Sequence, residues 1–228
     1  MKGTIVTGAN GFIGSSLIKI LINKGVKVLA VDMSFALPRL PESGFITKIE
    51  SGVDATLADK IPVGEYDAFY HLAWRGVNGA EKADPTVQLV NLQMAVDCAN
   101  VCKQMGVKKL LCAGTVAENA TYSLPDLEKT SGGMMYGVAK HACRLIVEDY
   151  CKNIGLPFVW MQFSNIYGIG NKTGNLVSYT LSELMAGKEA TFGPALKPYD
   201  FIYVDDLIEA VYPLGVNDTK KSIYYIGS

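Results

Sequence analysis

Short apolar runs alternate with longer amphipathic stretches along most of the chain. The runs of strand length fall near residues 2–7, 26–32, 46–50, 68–72, 109–113 and 158–163, with a last two near Ile202 and Tyr224. Apolar residues recur at helical spacing over residues 15–24, 88–105 and 136–153. Strands that alternate with helices predict an α/β fold, with a doubly wound parallel sheet and helices on both of its faces.

The segment between Ser34 and Gly44 interrupts this alternation. Pro38 and Pro41 fall inside it, and proline lacks the N–H group that a helix interior needs. We therefore predict a loop between the second and third strands, where an α/β unit ordinarily has a helix.

A glycine-rich turn lies between the first predicted strand and the first predicted helix. A pyrophosphate must approach the backbone closely at a helix N-terminus, where free N–H groups and the helix dipole favour an anion. Side chains would block that approach, which accounts for the glycines. The turn predicts a Rossmann-type dinucleotide site, although a simple tight turn would have the same composition. The candidate contacts are Gly8, Asn10, Gly11, Phe12, Ile13 and Gly14.

Asp32 follows the second predicted strand, at a distance from Gly14 that suits a carboxylate bonded to the adenosine ribose. Such a carboxylate would repel the 2′-phosphate of NADP. Met33 and Ser34 offer no compensating cation, and Arg39 is the exception nearby. We therefore predict NAD as the cofactor, against the alternative that Asp32 is a solvated strand end.

Tyr136 and Lys140 are four residues apart in the third predicted helix and so share one of its faces. A lysine ammonium beneath a tyrosine hydroxyl favours the phenolate and lowers the pKa of the phenol. Tyr136 would then serve as a general acid or base near neutral pH. The alternative is an ordinary helix in which the two residues have this spacing by chance.

Taken in order, these motifs resemble the NAD-dependent epimerase/dehydratase family of extended short-chain dehydrogenase/reductases, typified by UDP-galactose 4-epimerase. The resemblance covers essentially all 228 residues. The spacing of the three glycines in the turn is similar to that of the family. Gly114-Thr115 resembles the strand-end Ser/Thr that completes a catalytic trio with Tyr136 and Lys140. The other matching segments are His71-Leu72-Ala73, Asn91, Asn165-Ile166-Tyr167-Gly168 and residues 200–206.

The resemblance implies a role for each of these residues. The catalytic residues would be Thr115, Tyr136 and Lys140. Besides the glycine turn and Asp32, the cofactor contacts would be Asp54, Leu72, Ala73, Asn91, Tyr136 and Lys140. The substrate contacts would be Trp74, Asn165, Asn175, Leu176 and Tyr199. We expect His71 to be a structural residue of the cofactor wall and Asn91 and Asn165 to hold loops around the site, while Asp54 could equally be a surface carboxylate.

The resemblance also implies two parts, an NAD-binding Rossmann domain over residues 1–163 and a partial substrate lobe over residues 164–228, interleaved with the last strands. We expect the short C-terminal lobe to be either trimmed or a natural short form. Two arginines common in the family are absent, because Tyr199 and Gln162 stand in their places. A phenol or an amide does not replace a bidentate guanidinium on a diphosphate.

The expected activity is hydride transfer at a sugar carbinol carbon, by a nucleotide-sugar epimerase or ketoreductase. Family 4,6-dehydratases have Asp and Glu directly after the strand-end Thr, whereas Val116 and Ala117 follow Thr115 here. Glu118 comes one position late, and we interpret it as a loop carboxylate. The alternative function is a catalytically weak NAD-binding relative that senses or scaffolds.

Composition narrows the choice of partners and location. A formal net charge of -1 gives no electrostatic case for nucleic acid or an anionic membrane. No apolar run approaches the length of a membrane span. The five cysteines show neither a zinc pattern nor a disulfide framework, and we predict no metal site. We expect a cytoplasmic protein and, by resemblance, a homodimer formed by the helices near 88–105 and 136–153.

Overall fold

The computed structural model describes residues 1–171, 173–194 and 199–228. Seven parallel strands form the main sheet in the order β3-β2-β1-β4-β5-β6-β9, and β7 and β8 form a separate parallel pair. This arrangement confirms the predicted α/β fold. The strands are β1 Gly3–Thr7, β2 Lys27–Asp32, β3 Ile46–Glu50, β4 Ala68–His71, β5 Leu110–Thr115, β6 Phe158–Phe163, β7 Asn165–Tyr167, β8 Phe201–Tyr203 and β9 Ile223–Ile226.

The three predicted helices are confirmed, and each begins three or four residues earlier than predicted. The α-helices are α1 Phe12–Asn23, α2 Leu57–Lys60, α3 Pro85–Met105, α4 Gly132–Asn153, α5 Leu176–Met185 and α6 Val204–Val216. Two 3-10 helices cover Ala80–Ala83 and Val116–Asp126. The sequence did not predict α2, α5, α6 or either of the 3-10 helices. The loop predicted between Ser34 and Gly44 contains no helix.

Alternate residues of the central strands feed two separate cores. On β1, Ile5 faces a cluster with residues of α3 and α4, whereas Val6 faces a cluster with residues of α1 and α6. All five residues of β1 are buried, as expected for a parallel strand covered on both faces. Within the described part of the chain, no helix is both long and apolar enough to cross a membrane.

The strand order reverses direction between β1 and β4, where a ligand site is expected. From β1 the chain builds β2 and β3 on one side of the sheet, and then crosses to β4 on the other side. Thr7 and His71 lie opposite each other in the register at the carboxyl ends of these two strands. In open parallel sheets, ligands bind outside the carboxyl ends at this change of direction.

The C-terminal residues are divided between two places. β9 pairs with β6 in the main sheet, and α6 packs against α1. The β7–β8 pair and α5 lie apart from the main sheet, and α5 contributes no buried residue. The two-part division at residue 163 stays a prediction.

Candidate functional site

The glycine turn is built so that its backbone packs against the loop after β4. Gly8 has a φ of 66°, and a Cβ there would lie 2.8 Å from the Ala73 nitrogen. A Cβ at Gly14 would overlap the Gly8 carbonyl oxygen, and the Gly11 N–H donates to the same oxygen at 3.0 Å. Glycine is therefore required at positions 8 and 14 by the turn itself.

The N-terminus of α1 opens from this turn as a site for an anion. Gly11 is the N-cap residue and supplies no side-chain hydrogen bond, and the first turn contains no acidic residue. The first N–H groups of a helix need acceptors from outside the helix, and the helix dipole makes this end positive. The turn therefore fits a dinucleotide pyrophosphate.

Asp32 is held beside the turn at the end of β2. The Asn10 N–H donates to its Oδ2 at 2.8 Å, and the Asn10 side chain donates to the Ser34 carbonyl oxygen at 2.9 Å. The Asn10 Oδ1 atom is buried and has no hydrogen-bond partner among the residues that the structure describes. Because Oδ2 is used inside the protein, Oδ1 of Asp32 is the oxygen that would accept from a ribose hydroxyl.

His71 is a structural residue, as predicted. Its Nδ1 lies 2.8 Å from the Thr7 hydroxyl and 3.3 Å from the Cys98 sulfur. Burial lowers the pKa of His71 to about 3, and the charge on Lys140 acts in the same direction. The imidazole is therefore neutral at pH 7. The next two residues, Leu72 and Ala73, place their backbone against Gly8.

Asn91 and Gln88 fix the loop that follows β4. The fully buried Asn91 accepts from the Arg75 N–H at 2.7 Å and donates to the Arg75 and Val87 carbonyl oxygens at 2.9 and 3.2 Å. Gln88 accepts from the Trp74 indole at 3.0 Å and donates to the Gly76 carbonyl oxygen at 3.0 Å. Asn91 thus holds a loop, as expected, and its contact with a cofactor stays a prediction. Gln88 was missed, although its place one turn before Asn91 could have indicated it.

Asp54 is exposed and forms a local turn. Its Oδ1 accepts from the Thr56 N–H at 2.8 Å and from the Thr56 hydroxyl at 2.6 Å. These bonds lower the pKa of Asp54. The carboxylate is therefore charged and ordered at neutral pH, and its predicted contact with adenine stays a prediction.

Thr115 and Tyr136 come together because α4 approaches the end of β5 closely. Thr115 is the last residue of β5, and Tyr136 lies in the second turn of α4. A Cβ at Gly137 would overlap the Ala117 carbonyl oxygen, so glycine at this position permits the approach. Thr115 lies close enough to Tyr136 to lower the pKa of its phenol.

Lys140 is buried next to this pair, and its place beneath the phenol oxygen stays a prediction. Its Nζ donates to the Ala113 carbonyl oxygen at 2.6 Å and lies 3.6 Å from the centre of the Trp74 ring. The centre of the Tyr136 ring is 6.0 Å away. Burial lowers the pKa of Lys140 to about 8.

The expected lowering of the Tyr136 pKa is wrong for this arrangement. Burial raises the pKa of Tyr136 to about 12, because the cost of removing the phenolate from water outweighs the lowering that Thr115 contributes. The phenol is therefore protonated at pH 7, and it can donate a proton or a hydrogen bond.

Glu118 is a second correction, because it is not a surface loop carboxylate. It is 2% exposed and belongs to the 3-10 helix after β5. Its Oε1 accepts from the Thr115 N–H at 2.7 Å and from the Trp160 indole at 3.0 Å. Thr115 and Glu118 form a capping box, and this spacing of threonine and glutamate could have been recognised in the sequence.

Of the predicted substrate residues, Trp74 is the one that the described contacts bring to the catalytic trio. Its ring meets the Tyr136 ring edge to face, with 6.1 Å between centroids. Asn165 donates to the Asp200 carbonyl oxygen at 3.0 Å. Asn175 caps α5 by accepting from the Ser178 N–H at 2.9 Å. The substrate roles of all of these residues stay predictions.

Leu176 and Tyr199 are exposed, by 45% and 59% respectively. The Tyr199 ring packs on Phe201, with 5.0 Å between centroids. Gln162 donates to the Asn119 side chain at 3.2 Å. The two positions at which the resemblance leads one to expect arginine therefore carry side chains that interact with neighbouring residues of this chain.

Several known proteins resemble this chain in sequence or in fold. The chain is 28% identical over 217 residues to a dTDP-6-deoxy-L-talose 4-dehydrogenase (NAD(+)) from Aggregatibacter actinomycetemcomitans, across 89% of this chain and 76% of that protein. It is 24% identical over 250 aligned residues to a UDP-glucose 4-epimerase from Corynebacterium glutamicum, and the match covers 98% of this chain and 74% of that protein. A solved UDP-N-acetylglucosamine 4-epimerase from Methanobrevibacter ruminantium M1 has the same fold, with a TM-score of 0.83 and 23% identity over 99% of this chain and 76% of that chain. Residues 4–227 match the NAD dependent epimerase/dehydratase family, and the chain belongs to that family.

Proposed function

We propose that the protein transfers hydride between NAD and a carbinol carbon of a nucleotide sugar, as an epimerase or a ketoreductase. The observation that supports this proposal is the convergence of Thr115, Tyr136 and Lys140 near the carboxyl end of β5, at the same edge of the sheet as the glycine turn. Relatives named as a 4-dehydrogenase and as 4-epimerases support the same substrate class.

The glycine turn and Asp32 would hold the cofactor. The turn offers free N–H groups to the pyrophosphate, and Asp32 offers an acceptor to the adenosine ribose. The same carboxylate disfavours a 2′-phosphate, which supports NAD over NADP. When bound, NAD supplies the group that accepts or returns hydride.

Tyr136 would exchange the proton of the sugar hydroxyl. In the direction of oxidation, the hydroxyl proton passes to a Tyr136 phenolate while hydride leaves the same carbon. In the direction of reduction, the protonated phenol gives its proton to the carbonyl oxygen. Thr115 would hydrogen-bond that oxygen, and the Lys140 charge would favour the phenolate when the site is occupied.

Oxidation and reduction at one carbon is favoured over elimination of water. Val116 and Ala117 cannot transfer a proton, and Glu118 is buried and bonded to Thr115 and Trp160. An extra acid and base for dehydration are therefore not available at these positions.

A homodimer is part of the same proposal. The outer faces of α3 and α4 carry exposed apolar side chains. On α3, Leu89 is 65% exposed and Val90 is 41% exposed; on α4, Leu145 is 52% exposed and Ile146 is 48% exposed. Two copies packed through these helices would bury these apolar side chains.

All five cysteines are free and buried, which suits the reducing cytoplasm that we expected.

Product analysis tests the proposed activity. Purified protein is incubated with NAD and a panel of UDP- and dTDP-hexoses, with and without NADH, and the products are identified by NMR. We expect a 4-epimer, or a 4-keto sugar that is reduced when NADH is present. A 4-keto-6-deoxy sugar formed from a simple nucleotide hexose would show dehydration and contradict the proposal, and Tyr136→Phe is the control for background turnover.

A further inference from the structure

Glu118 has an environment that its sequence position does not indicate. Its side chain accepts the backbone N–H of Thr115 at 2.7 Å and the indole N–H of Trp160 at 3.0 and 3.1 Å. A buried carboxylate is costly unless such donors satisfy it. The bond to Thr115 ties the carboxylate directly to a candidate catalytic residue.

The space around the Glu118–Trp160 pair leaves no room for a side chain at residue 114. A Cβ at Gly114 would overlap the Trp160 nitrogen and would lie 2.8 Å from Glu118 Oε1. Glycine therefore precedes Thr115 because the indole and the carboxylate occupy this volume. Since Trp160 is 1% exposed and Glu118 is 2% exposed, the packing holds the carboxylate in one position.

Glu118 also lies next to charged residues of α4. Arg144 Nε lies 3.8 Å from its Oε2. Lys140, which is 3% exposed, donates to a neutral carbonyl oxygen, and its Nζ lies 5.8 Å from the centre of the Trp160 ring that bonds Glu118. Burial lowers the pKa of Lys140, while Cys143 and Glu118 raise it. Burial raises the pKa of Glu118, whereas its hydrogen bonds and the charges of Lys140 and Arg144 oppose that rise.

We propose that Glu118 is a positioning residue of the catalytic site: its carboxylate fixes the backbone of Thr115 and is the countercharge that keeps the buried Lys140 ammonium protonated. The proposal rests on the catalytic roles proposed above for Thr115 and Lys140. Glu118 itself transfers no proton, because both of its oxygens are engaged by Trp160 and Thr115.

The charged neighbourhood of Glu118 provides a matched control. Tyr136, Lys140 and Arg144 face it from α4. Arg144 in turn contacts His141 Nε2 at 3.1 Å and Glu148 Oε2 at 3.6 Å. Glu148→Gln removes a carboxylate from the same arginine without touching Thr115, whereas Glu118→Gln removes the charge and leaves an oxygen to accept the Thr115 N–H.

The first measurement compares turnover and its pH profile for the two glutamine variants and Glu118→Ala. We expect Glu118→Ala to lower kcat by about 10–100-fold, the effect of a misplaced catalytic group, with an unchanged dissociation constant for NAD. Glu118→Gln should retain more of kcat and should move the alkaline limb of the profile to lower pH, because a neutral side chain no longer favours the Lys140 ammonium. Glu148→Gln should keep the wild-type profile. Wild-type kcat and pH profile in both Glu118 variants would overturn the proposal.

The second measurement does not depend on turnover. Lysine side chains labelled with ¹³C are titrated by NMR, and Lys140→Met assigns the resonance of Lys140. We expect the pKa of Lys140 to fall in Glu118→Gln and to be unchanged in Glu148→Gln. If the wild-type protein is inactive on every substrate, the proposed function fails, while this titration still decides whether Glu118 supports Lys140. An unchanged pKa in Glu118→Gln would overturn the role assigned to Glu118.

Discussion

The Lys140 ammonium lies 3.6 Å from the centre of the Trp74 ring. This distance is well within the range of a cation–π interaction, and both groups also adjoin Tyr136. Trp74 therefore covers the lysine that the resemblance assigns to the cofactor site. A tryptophan in this place should respond when a dinucleotide binds.

We predict that NAD changes the fluorescence of the wild-type protein and that Trp74→Phe removes most of this change. Trp160, the other tryptophan, is buried with Glu118 and serves as the constant background. Titration of both proteins with NAD, with affinity measured separately by calorimetry, checks the prediction. A full fluorescence response from Trp74→Phe would mean that the cofactor does not approach this pair.

Cofactor choice should depend on Asp32. The Asn10 N–H holds its carboxylate beside the glycine turn, where the ribose of the cofactor would lie. We expect NADH to bind more tightly than NADPH, and Asp32→Ala to reduce the preference by weakening NADH binding and relieving the repulsion of the 2′-phosphate. Calorimetry with both cofactors is the measurement. Tighter NADPH binding to the unmodified protein would contradict the assignment.

Removing the Tyr136 hydroxyl should separate catalysis from binding. We predict that Tyr136→Phe lowers kcat by about 10²–10⁴-fold, the usual effect of losing a general acid or base, and leaves the dissociation constant for NAD nearly unchanged. Lys140→Met should impair both, since Lys140 is expected to contact the ribose as well. Steady-state kinetics and calorimetry on the two variants distinguish these outcomes. Full activity in Tyr136→Phe would make the assigned mechanism wrong.

The close approach of α4 to the end of β5 can be tested at Gly137. A Cβ there would overlap the Ala117 carbonyl oxygen, so Gly137→Ala should lower the free energy of unfolding by about 1–3 kcal/mol, the range for overpacking. It should also reduce kcat by displacing Tyr136. Gly44→Ala is the matched control, because its Cβ would meet no atom within 4 Å. Urea unfolding of both variants makes the comparison, and equal stabilities would show that the contact at Gly137 is not tight.

The sequence predicted the parts of the site that are formed by neighbouring residues. The glycine turn and the ends of β2 and β5 are local patterns, and strand and helix periodicity placed them at one edge of the sheet. The sequence did not predict the partners of Glu118 and Lys140. Trp160 is 42 residues from Glu118, and the carbonyl oxygen that accepts from Lys140 is 27 residues earlier in the chain.

The shift of the Tyr136 pKa was also predicted in the wrong direction, because a local sequence pattern does not show burial. Helical spacing correctly placed Tyr136 and Lys140 on one helix, but it could not show how deeply the two groups are buried. Burial raises the pKa of the phenol and lowers the pKa of the ammonium, and it is the largest cause of both shifts.

The lowered pKa of Lys140 leads to a last prediction, about how the free energy of unfolding depends on pH. Burial lowers this pKa from 10.5 to about 8 in the folded protein. Below pH 8 the lysine is charged in both the folded and the unfolded chain, so its destabilising effect is complete. Between about pH 8 and 10.5 the unfolded chain binds the proton more strongly, and this contribution to the free energy of unfolding therefore rises with pH.

Lys140→Met isolates this contribution, because methionine has a similar length and no charge. We expect the stability of the wild-type protein relative to Lys140→Met to increase from pH 8 to pH 10, measured by urea unfolding at each pH. Lys152→Met is the control, since Lys152 is 70% exposed and pairs with Glu148 at the surface. The same variants should show activity that falls above about pH 8 in the wild-type protein and in Lys152→Met, since the ammonium is lost there. A stability difference between wild type and Lys140→Met that is independent of pH would show that Lys140 keeps its ordinary pKa in the folded protein.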